Sequence, residues 1–216
     1  MIPAIDRERP LTKLRAGHHP PNLWVTPAYL DDYGEIATED VWLRAEVVQR
    51  IAIAVGAAAT EGMSLLIWDG WRSAELQHAL YEDYRARIAG SLELRGSALE
   101  ERVAEFVTDP ARDGYIAAHT TGGAVDLTLC SDDGKPLDMG SEFDELSDRA
   151  HPTFYTRHPG LAGAETYSER RALLHSIMSE AGFWRLDTEW WHFEYGTPLW
   201  ASSVGGTALY GPVGAG

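Results

Sequence analysis

The segment VDLTLC, residues 125–130, alternates apolar and polar side chains without interruption, a pattern typical of a β-strand. Its apolar residues fall on one face and its polar residues on the other: Val125, Leu127 and Leu129 against Asp126, Thr128 and Cys130. A strand with one apolar face needs a core on that side. We therefore expect a half-buried strand here, in a sheet that other elements cover on its apolar face.

Helical and strand-like segments alternate in mixed order along the rest of the chain. Apolar residues recur every three or four positions in four segments, which predicts helices over 39–59, 73–88, 97–106 and 168–181. The expected helix starts are the N-caps Ser73 and Ser168 and a capping box of Ser97 with Glu100. MSLLIW, residues 63–68, is a predicted strand. The sequence thus predicts an α+β fold with a central, mainly antiparallel sheet flanked by helices.

The chain is long enough for one sizeable core. It has 216 residues, of which 44% are hydrophobic, and this length favours a single domain. We assign residues 1–200 to that domain, with about the first 20 residues irregular because Pro and turn signals are frequent there. Residues 201–216 form a Gly-rich tail that we expect to be loosely held.

Charge and cysteine content limit the kinds of ligand that the protein is expected to bind. Acidic residues outnumber basic ones 33 to 18, and the formal charge of −15 argues against binding nucleic acid or an anionic membrane. A small molecule or peptide is the expected ligand. The opening MIPAIDRERP lacks a signal pattern and no apolar run approaches about 20 residues, so we expect a cytoplasmic protein. Cys130 is the only cysteine, so a metal would be held by His, Asp or Glu.

The stretch HTTGGAVD places His119 and Asp126 seven residues apart, around two glycines. On an unbroken strand this odd separation would put the two side chains on opposite faces. Gly122 and Gly123 permit positive φ angles and bulges, which can re-aim a side chain. Imidazole and carboxylate are ordinary zinc ligands, and a third ligand would leave one position open for water. The alternative is that Asp126 is simply a solvated residue on a polar strand face.

The stretch EWWHFEY supplies the expected third ligand, His192, with Glu189 three residues before it. Both can serve one metal site only if the chain bends between them or the strand begins after Glu189. Glu189 would then act as the base that takes a proton from metal-bound water. A histidine in an aromatic strand is also commonly a hydrogen-bonded core residue, so this pattern alone leaves both interpretations open.

Two further residues have both a functional and a structural interpretation. Arg72 follows the predicted strand at a strand-to-helix corner, where it can form a surface ion pair or stabilise an oxyanion near the metal. Trp190 can form a wall of a substrate pocket or fill the core.

Four segments together resemble the signature segments of a known family in their order. They are WDGWR (68–72), HTTGGAVDLTL (119–129), MGSEFDE (139–145) and EWWH (189–192), within a similarity that spans roughly residues 22–200. The sequence resembles the D-alanyl-D-alanine dipeptidases of the VanX type. These are zinc enzymes related in fold to Hedgehog and to zinc D-Ala-D-Ala carboxypeptidases. The resemblance implies one Zn²⁺ per chain and a dipeptide substrate.

The resemblance also assigns roles by position. His119, Asp126 and His192 match the zinc ligands, Glu189 matches the catalytic base, and Arg72 matches the arginine that stabilises the transition state. Asp144 matches the carboxylate that receives the substrate's amino group. Trp190 is expected to contribute to substrate binding.

One position departs from the family pattern. Two residues before the first zinc-binding histidine, where the family has a serine that helps hold the substrate's amino terminus, this chain has Ala117. A methyl group cannot accept that hydrogen bond. Two alternatives therefore stand beside a D-Ala-D-Ala dipeptidase: a zinc hydrolase acting on another dipeptide, amide or peptidoglycan stem, and a zinc-stabilised binding module without catalysis.

Overall fold

A computed structural model describes residues 10–19, 21–107 and 114–213 of the chain. Its main feature is a six-stranded sheet in the order β2-β3-β5-β6-β8-β7. The strands are β2 (Gly17–His19), β3 (Leu23–Val25), β5 (Ser64–Asp69), β6 (Ala124–Cys130), β7 (Trp184–Arg185) and β8 (His192–Glu194). Four of its five strand pairs are antiparallel and β3–β5 is parallel, so the predicted mainly antiparallel sheet is confirmed.

Helices and a small second sheet surround this sheet. The second sheet pairs β1 (Leu11–Leu14) with β4 (Val41–Arg44). The described residues form seven α-helices: α1 (Leu30–Tyr33), α2 (Ala45–Thr60), α3 (Ala74–Leu92), α4 (Ser97–Val103), α5 (Phe154–Arg157), α6 (Ala164–Glu180) and α7 (Pro198–Val204). The arrangement is a single α+β domain, as the sequence predicts. None of the described helices is both long and apolar enough to cross a membrane.

Strand β6 lies in the middle of the sheet and is buried on both faces. All seven of its residues are buried, so the prediction of a half-buried strand was wrong. Its apolar residues join the core with α2 and α6, through residues such as Ile51 and Leu174. Its other face carries Asp126, which is covered by further polar side chains. Asp126 can thus be buried because side chains from other segments of the chain bind its carboxylate.

Helix starts agree with the sequence only in part. Ser73 caps α3 as predicted, because its hydroxyl accepts a hydrogen bond from the Leu76 amide. The predicted capping box is wrong, because α4 begins after Gly96 without a side-chain cap and Glu100 binds helix α3. The predicted cap Ser168 is also wrong, since α6 begins at Ala164, and residues 41–44 are strand β4 rather than the start of a helix.

The described residues near each end of the chain form more regular structure than the sequence predicts. Strands β1 and β2 lie in the segment predicted to be irregular, where Leu14 is buried against β4. Helix α7 crosses the predicted boundary at residue 200. In the predicted loose tail, Tyr210 is fully buried and its hydroxyl donates to Glu46. Backbone pairing and burial of single apolar side chains override the local turn signals here. The division of the chain at residue 200 stays a prediction.

Gly123 provides a test of the packing beneath β6. A Cβ atom at this position would lie 2.7 Å from the Tyr195 carbonyl oxygen, 2.8 Å from Thr197 and 2.9 Å from Tyr210. We therefore expect Gly123→Ala to lower the free energy of unfolding by about 1–3 kcal/mol, measured by urea denaturation. The matched control is Gly56→Ala in α2, where a Cβ meets open space and the helix should gain about 0.5–1 kcal/mol. Equal effects of the two substitutions would contradict this packing.

Candidate metal centre

Three predicted ligands lie on neighbouring backbone segments. Asp126 in β6 is directly opposite His192, the first residue of β8, in the antiparallel register. His119 lies in a 3₁₀ turn, Ala118–Thr121, that leads into β6. The turn ends at Gly122, whose φ of 72° is in the left-handed region. The chain reverses there, so His119 and Asp126 meet although they are seven residues apart.

The three side chains converge to hydrogen-bonding distance. His119 Nε2 lies 3.1 Å from His192 Nδ1, and Asp126 is 3.3 Å from the first and 3.0 Å from the second. All three side chains are buried, and their candidate ligand atoms lie within 4.8 Å of one another. The structure thus brings together the three residues that the sequence singles out.

In each histidine, the ring nitrogen that points away from the cluster, here called the outer nitrogen, lies beside a hydrogen-bond acceptor. His119 Nδ1 donates to the Gly70 carbonyl oxygen at 2.6 Å, and His192 Nε2 is 3.0 Å from a Glu194 carboxylate oxygen. The Thr197 hydroxyl donates to the other oxygen of Glu194. Carbonyl and carboxylate oxygens accept only, so the outer nitrogens carry the hydrogens and the inner nitrogens of the neutral rings present lone pairs.

This donor set suits a metal ion. His119 Nε2 and His192 Nδ1 lie 3.1 Å apart beside a carboxylate. Their lone pairs and the carboxylate repel one another unless a proton or a cation lies between them. Two imidazoles and one carboxylate are a common zinc ligand set that leaves one coordination position open. Hydrogen bonds that fix the outer nitrogens are the usual support of metal-binding histidines. The residues present therefore fit a zinc ion.

The carboxylate and the imidazoles of the cluster shift one another's pKa values towards their charged forms. Burial alone would raise the pKa of Asp126, but the His119 and His192 imidazoles hold it well below its usual range. Burial alone would lower the pKa of His192, but hydrogen bonds to Asp126 and Glu194 raise it well above its usual value. In the metal-free protein the cluster therefore favours an anionic Asp126 and a positive charge close to it.

Arg72 is buried beside the cluster, so its interpretation as a surface ion pair was wrong. Its Nε donates to Asp69 at 2.6 Å, and one terminal nitrogen donates to Asp126 and to the Tyr29 hydroxyl, each at 3.1 Å. Its backbone amide donates to the His119 carbonyl oxygen at 3.2 Å. These contacts fix the guanidinium at the edge of the site.

Glu189 lies outside strand β8, which begins only at His192. Strand alternation therefore does not govern the pair, and one Glu189 oxygen comes within 3.9 Å of His192 Nδ1. The Glu189 side chain is buried. Burial raises its pKa to about 8, against the opposing effect of His192. A carboxyl group of this kind can exchange a proton near neutral pH.

Asp144 lies beyond Arg72 and receives a hydrogen bond of 2.7 Å from the Tyr29 hydroxyl. Its φ of 57° is unusual for a residue other than glycine. Burial raises its pKa to about 6, although the charge of Arg72 opposes this shift.

A cavity of about 180 Å³ opens onto these groups. Its walls include Arg72, Ala117, His119, Asp144, Glu189 and His192. The expectation that Trp190 forms a wall of this cavity was wrong. Its indole N–H donates to the Ser141 hydroxyl at 2.9 Å, its side chain is 2% exposed, and it borders a separate cavity with Trp68. The bend before β8 turns Trp190 into the core, where its backbone amide donates to Ala150.

Sequence reasoning missed three supporting residues. Glu194 follows His192 by two positions, so strand alternation alone places both on one face. Asp69 immediately precedes the turn that carries Arg72. Tyr29, which contacts both Arg72 and Asp144, gives no such signal because it is far from them in the chain.

The sequence is similar to those of known proteins over most of its length. The Peptidase_M15 family model, described as D-ala-D-ala dipeptidase, matches residues 37–204. A D-alanyl-D-alanine dipeptidase of Synechocystis is 36% identical over 151 residues, which cover 63% of this chain and 61% of that protein. The dipeptidase of Escherichia coli is 30% identical over 152 residues, covering 70% of this chain and 65% of that protein. The matches thus span less than two thirds of these two relatives.

Solved structures show the same fold at low sequence identity. The vancomycin resistance D,D-pentapeptidase VanY, as a mutant in complex with Zn(II), aligns with a TM-score of 0.50 and 14% identity. The alignment covers 81% of this chain and 85% of that one. VanYB in complex with D-alanine-D-alanine gives a TM-score of 0.50 and 15% identity, with 81% and 84% covered. These similarities confirm the DD-peptidase type of fold.

The raised pKa of Glu189 makes a prediction for the metal-free protein. A carboxyl group whose pKa is about 8 when folded and 4.5 when unfolded stabilises the folded state below pH 4.5, and this contribution is lost as the pH rises towards 8. Each unit of pKa difference corresponds to about 1.4 kcal/mol. Relative to Glu189→Gln, the wild-type protein should therefore lose free energy of unfolding between pH 5 and 8, as measured by urea denaturation in chelator. Parallel pH curves for the two proteins would contradict the assignment.

The hydrogen bond from His192 to Glu194 predicts an effect on metal affinity. Glu194→Gln keeps the shape of the side chain but removes the anion that orients the ring, so zinc affinity should fall about 10–100-fold. Competition with a chromogenic chelator measures this change. Glu180→Gln, an exposed carboxylate at the end of α6, is the control and should bind zinc like the wild-type protein. Equal affinities of the two variants would rule out a supporting role for Glu194.

Proposed function

Since the chain belongs to the D-Ala-D-Ala dipeptidase family of peptidases, we propose that it is a zinc-dependent dipeptidase that hydrolyses D-alanyl-D-alanine or a related small dipeptide. The main support for this proposal is the buried cluster of His119, Asp126 and His192, with Glu189 beside it. Each chain would hold one Zn²⁺ through His119 Nε2, His192 Nδ1 and the Asp126 carboxylate. Zinc bound there would supply a Lewis acid, which polarises a carbonyl group and lowers the pKa of bound water.

Glu189 would transfer the proton in this reaction. Its carboxylate would take a proton from the attacking water and later give it to the leaving amine. Burial favours the neutral acid, and a cation nearby would favour the carboxylate. The two effects together suit a group that must both accept and release a proton near neutral pH.

Arg72 would stabilise the negative charge that develops on the carbonyl oxygen. Its guanidinium is already held by Asp69, Asp126 and Tyr29, so little reorganisation is needed when the charge appears. A cation fixed in a buried site acts more strongly than one in water. The presence of both Arg72 and Glu189 at the cluster argues against a non-catalytic binding module.

Asp144 would bind the free amino group of the substrate. It lies on the wall of the same cavity and carries a carboxylate that can accept from an ammonium group. An amino end anchored there excludes a substrate that is extended or blocked at that end. This supports a dipeptidase rather than an enzyme that trims long peptides.

Ala117 supports a second candidate for the substrate. It lines the cavity with a methyl group and so offers no hydrogen bond to a ligand. A hydrolase with the same zinc site but another dipeptide, an amide or a peptidoglycan stem as substrate is therefore the alternative. The cytoplasmic location expected from the sequence stays a prediction.

A hydrolysis panel tests both the reaction and the substrate. Zinc-loaded protein should release alanine from D-alanyl-D-alanine, act little on the N-acetylated dipeptide because of Asp144, and lose activity after chelation until zinc is restored. Alanine release is measured by chromatography on L,L, D,D and mixed dipeptides. Faster cleavage of an N-blocked peptide than of every free dipeptide would favour the carboxypeptidase alternative.

The control for this panel is Glu189→Gln. We expect this variant to keep stoichiometric zinc and to lose about 10²–10⁴-fold in kcat, since general acid–base catalysis contributes rate enhancements of that order. Wild-type turnover in this variant would contradict the assigned base.

A further inference from the structure

Asp144 lies in a loop, residues 139–151, that borders the cavity of the candidate metal centre. Every residue of this 139–151 loop is described, and its one regular element is a 3₁₀ turn, Asp148–Ala150, near its end. Asp144 has a φ of 57°, a sparsely populated conformation that persists where the surrounding structure holds it. The orientation of the Asp144 carboxylate therefore depends on the contacts that hold the loop.

Arg171, on α6, binds both ends of the loop. Its side chain is buried, with 3% of the residue exposed. At the start of the loop, Nε donates to the Met139 carbonyl oxygen at 2.8 Å and Nη2 donates to the Ser141 hydroxyl at 3.0 Å. At the end of the loop, Nη1 donates to the carbonyl oxygens of Arg149 and His151 at 2.9 and 2.8 Å. Four of the five guanidinium donors thus join the two ends.

Arg171 is a buried cation that depends on these acceptors. Burial lowers its pKa to about 10, so the side chain stays charged at neutral pH. A buried charge is costly unless hydrogen bonds satisfy it, and here three carbonyl oxygens and one hydroxyl do so. Displacement of either end of the loop would leave the cation without part of this set. The arginine therefore favours one arrangement of the loop.

The middle of the loop is fixed beside Asp144. Phe143 packs against the core and stacks on the Trp68 ring, with 4.8 Å between the ring centroids. The Tyr29 hydroxyl donates to Asp144 at 2.7 Å. With its two ends joined by Arg171 and with Phe143 packed, the loop presents Asp144 at the wall of the cavity.

The shape of the Arg171 side chain matters as well as its charge. A guanidinium is planar and distributes five donors over three nitrogens, whereas a lysine ammonium has three donors on one atom. A lysine at this position would keep a positive charge but could not bind the four acceptors at once. Arg171→Lys is therefore a variant that loosens the loop without removing the charge.

We propose that Arg171 is a positioning residue for substrate binding, whose guanidinium closes the 139–151 loop so that the Asp144 carboxylate is held at the cavity wall. The assignment of Asp144 to the substrate's amino group rests on the proposed function. The hydrogen bonds that hold the loop are independent of whether a bound dipeptide is cleaved.

Two ligands that differ only in the ammonium group test this inference. D-alanyl-D-alanine has the group, and propionyl-D-alanine has a hydrogen in its place. Binding of each is measured by calorimetry on zinc-loaded protein, with Glu189→Gln in every sample to prevent turnover. Arg171→Lys should weaken binding of D-alanyl-D-alanine about tenfold, the loss typical of one hydrogen bond to a charged group, and leave propionyl-D-alanine and the zinc content unchanged.

A double-mutant cycle separates positioning from a general structural effect. Asparagine tolerates a positive φ, so Asp144→Asn keeps the loop conformation and removes the charge. If Arg171 acts through Asp144, adding Arg171→Lys to Asp144→Asn should weaken binding of D-alanyl-D-alanine by less than about twofold further. A full additional tenfold loss would show that Arg171 acts on binding without Asp144 and would overturn the inference.

Arg170→Lys is the matched control on the same helix. Arg170 is partly exposed, and its Nη1 donates to the carbonyl oxygen of Asp138, outside the loop. This variant should bind both ligands like its parent. If Arg171→Lys does not fold, Ser141→Ala takes its place, because it removes one of the four acceptors of Arg171. It should weaken D-alanyl-D-alanine in preference to propionyl-D-alanine.

The remaining outcomes distinguish this inference from the proposed function. Equal weakening of both ligands by Arg171→Lys, or no weakening of D-alanyl-D-alanine, would contradict the positioning role. If the wild-type protein binds D-alanyl-D-alanine more tightly than propionyl-D-alanine but cleaves no dipeptide, the proposed function fails and the inference stands. If the parent protein binds the two ligands equally, Asp144 does not hold the amino group and the inference fails.

Discussion

The whole site depends on groups that neutralise the negative charge of one buried carboxylate, that of Asp126. Asp126 is inaccessible to solvent in the middle strand of the sheet, where an isolated charge would cost several kcal/mol. Arg72, His119 and His192 all converge on it within 3.3 Å. Only β6 and β8 in their observed register bring His192 opposite Asp126. The register of the sheet therefore determines whether the site can form. A shift of one residue between β6 and β8 would leave the Asp126 carboxylate buried without His192 opposite it.

Backbone groups and close packing hold this cluster in place. The Gly70 carbonyl oxygen orients His119, and a Cβ at Gly70 would approach the Trp42 carbonyl oxygen to 2.7 Å. On the other side, Glu194 and Thr197 orient His192. Residues fixed by strands and by hydrogen bonds need little rearrangement when a metal or substrate binds. The residues proposed to set substrate specificity, Asp144 and Ala117, lie on the wall of the cavity and are not part of this cluster.

Much of this arrangement is predictable from the sequence because local rules apply to it. Alternation identified strand β6, and the glycines before it allowed His119 and Asp126 to meet. The condition that the strand start after Glu189 is met, because β8 begins at His192. Where tertiary contacts decide, the predictions were wrong. Burial of both faces of β6, the inward turn of Trp190 and the order of Leu14 and of Tyr210 depend on residues distant in the chain.

One zinc ion should be bound by the ring nitrogens and the carboxylate that face the centre of this cluster. Anomalous diffraction at the zinc edge, on crystals of the zinc-loaded protein, tests it most directly. We expect one strong peak per chain within coordination distance of His119 Nε2, His192 Nδ1 and an Asp126 oxygen, with Glu189 outside that distance. A peak elsewhere, or one bound through the outer nitrogens that face Gly70 and Glu194, would contradict it.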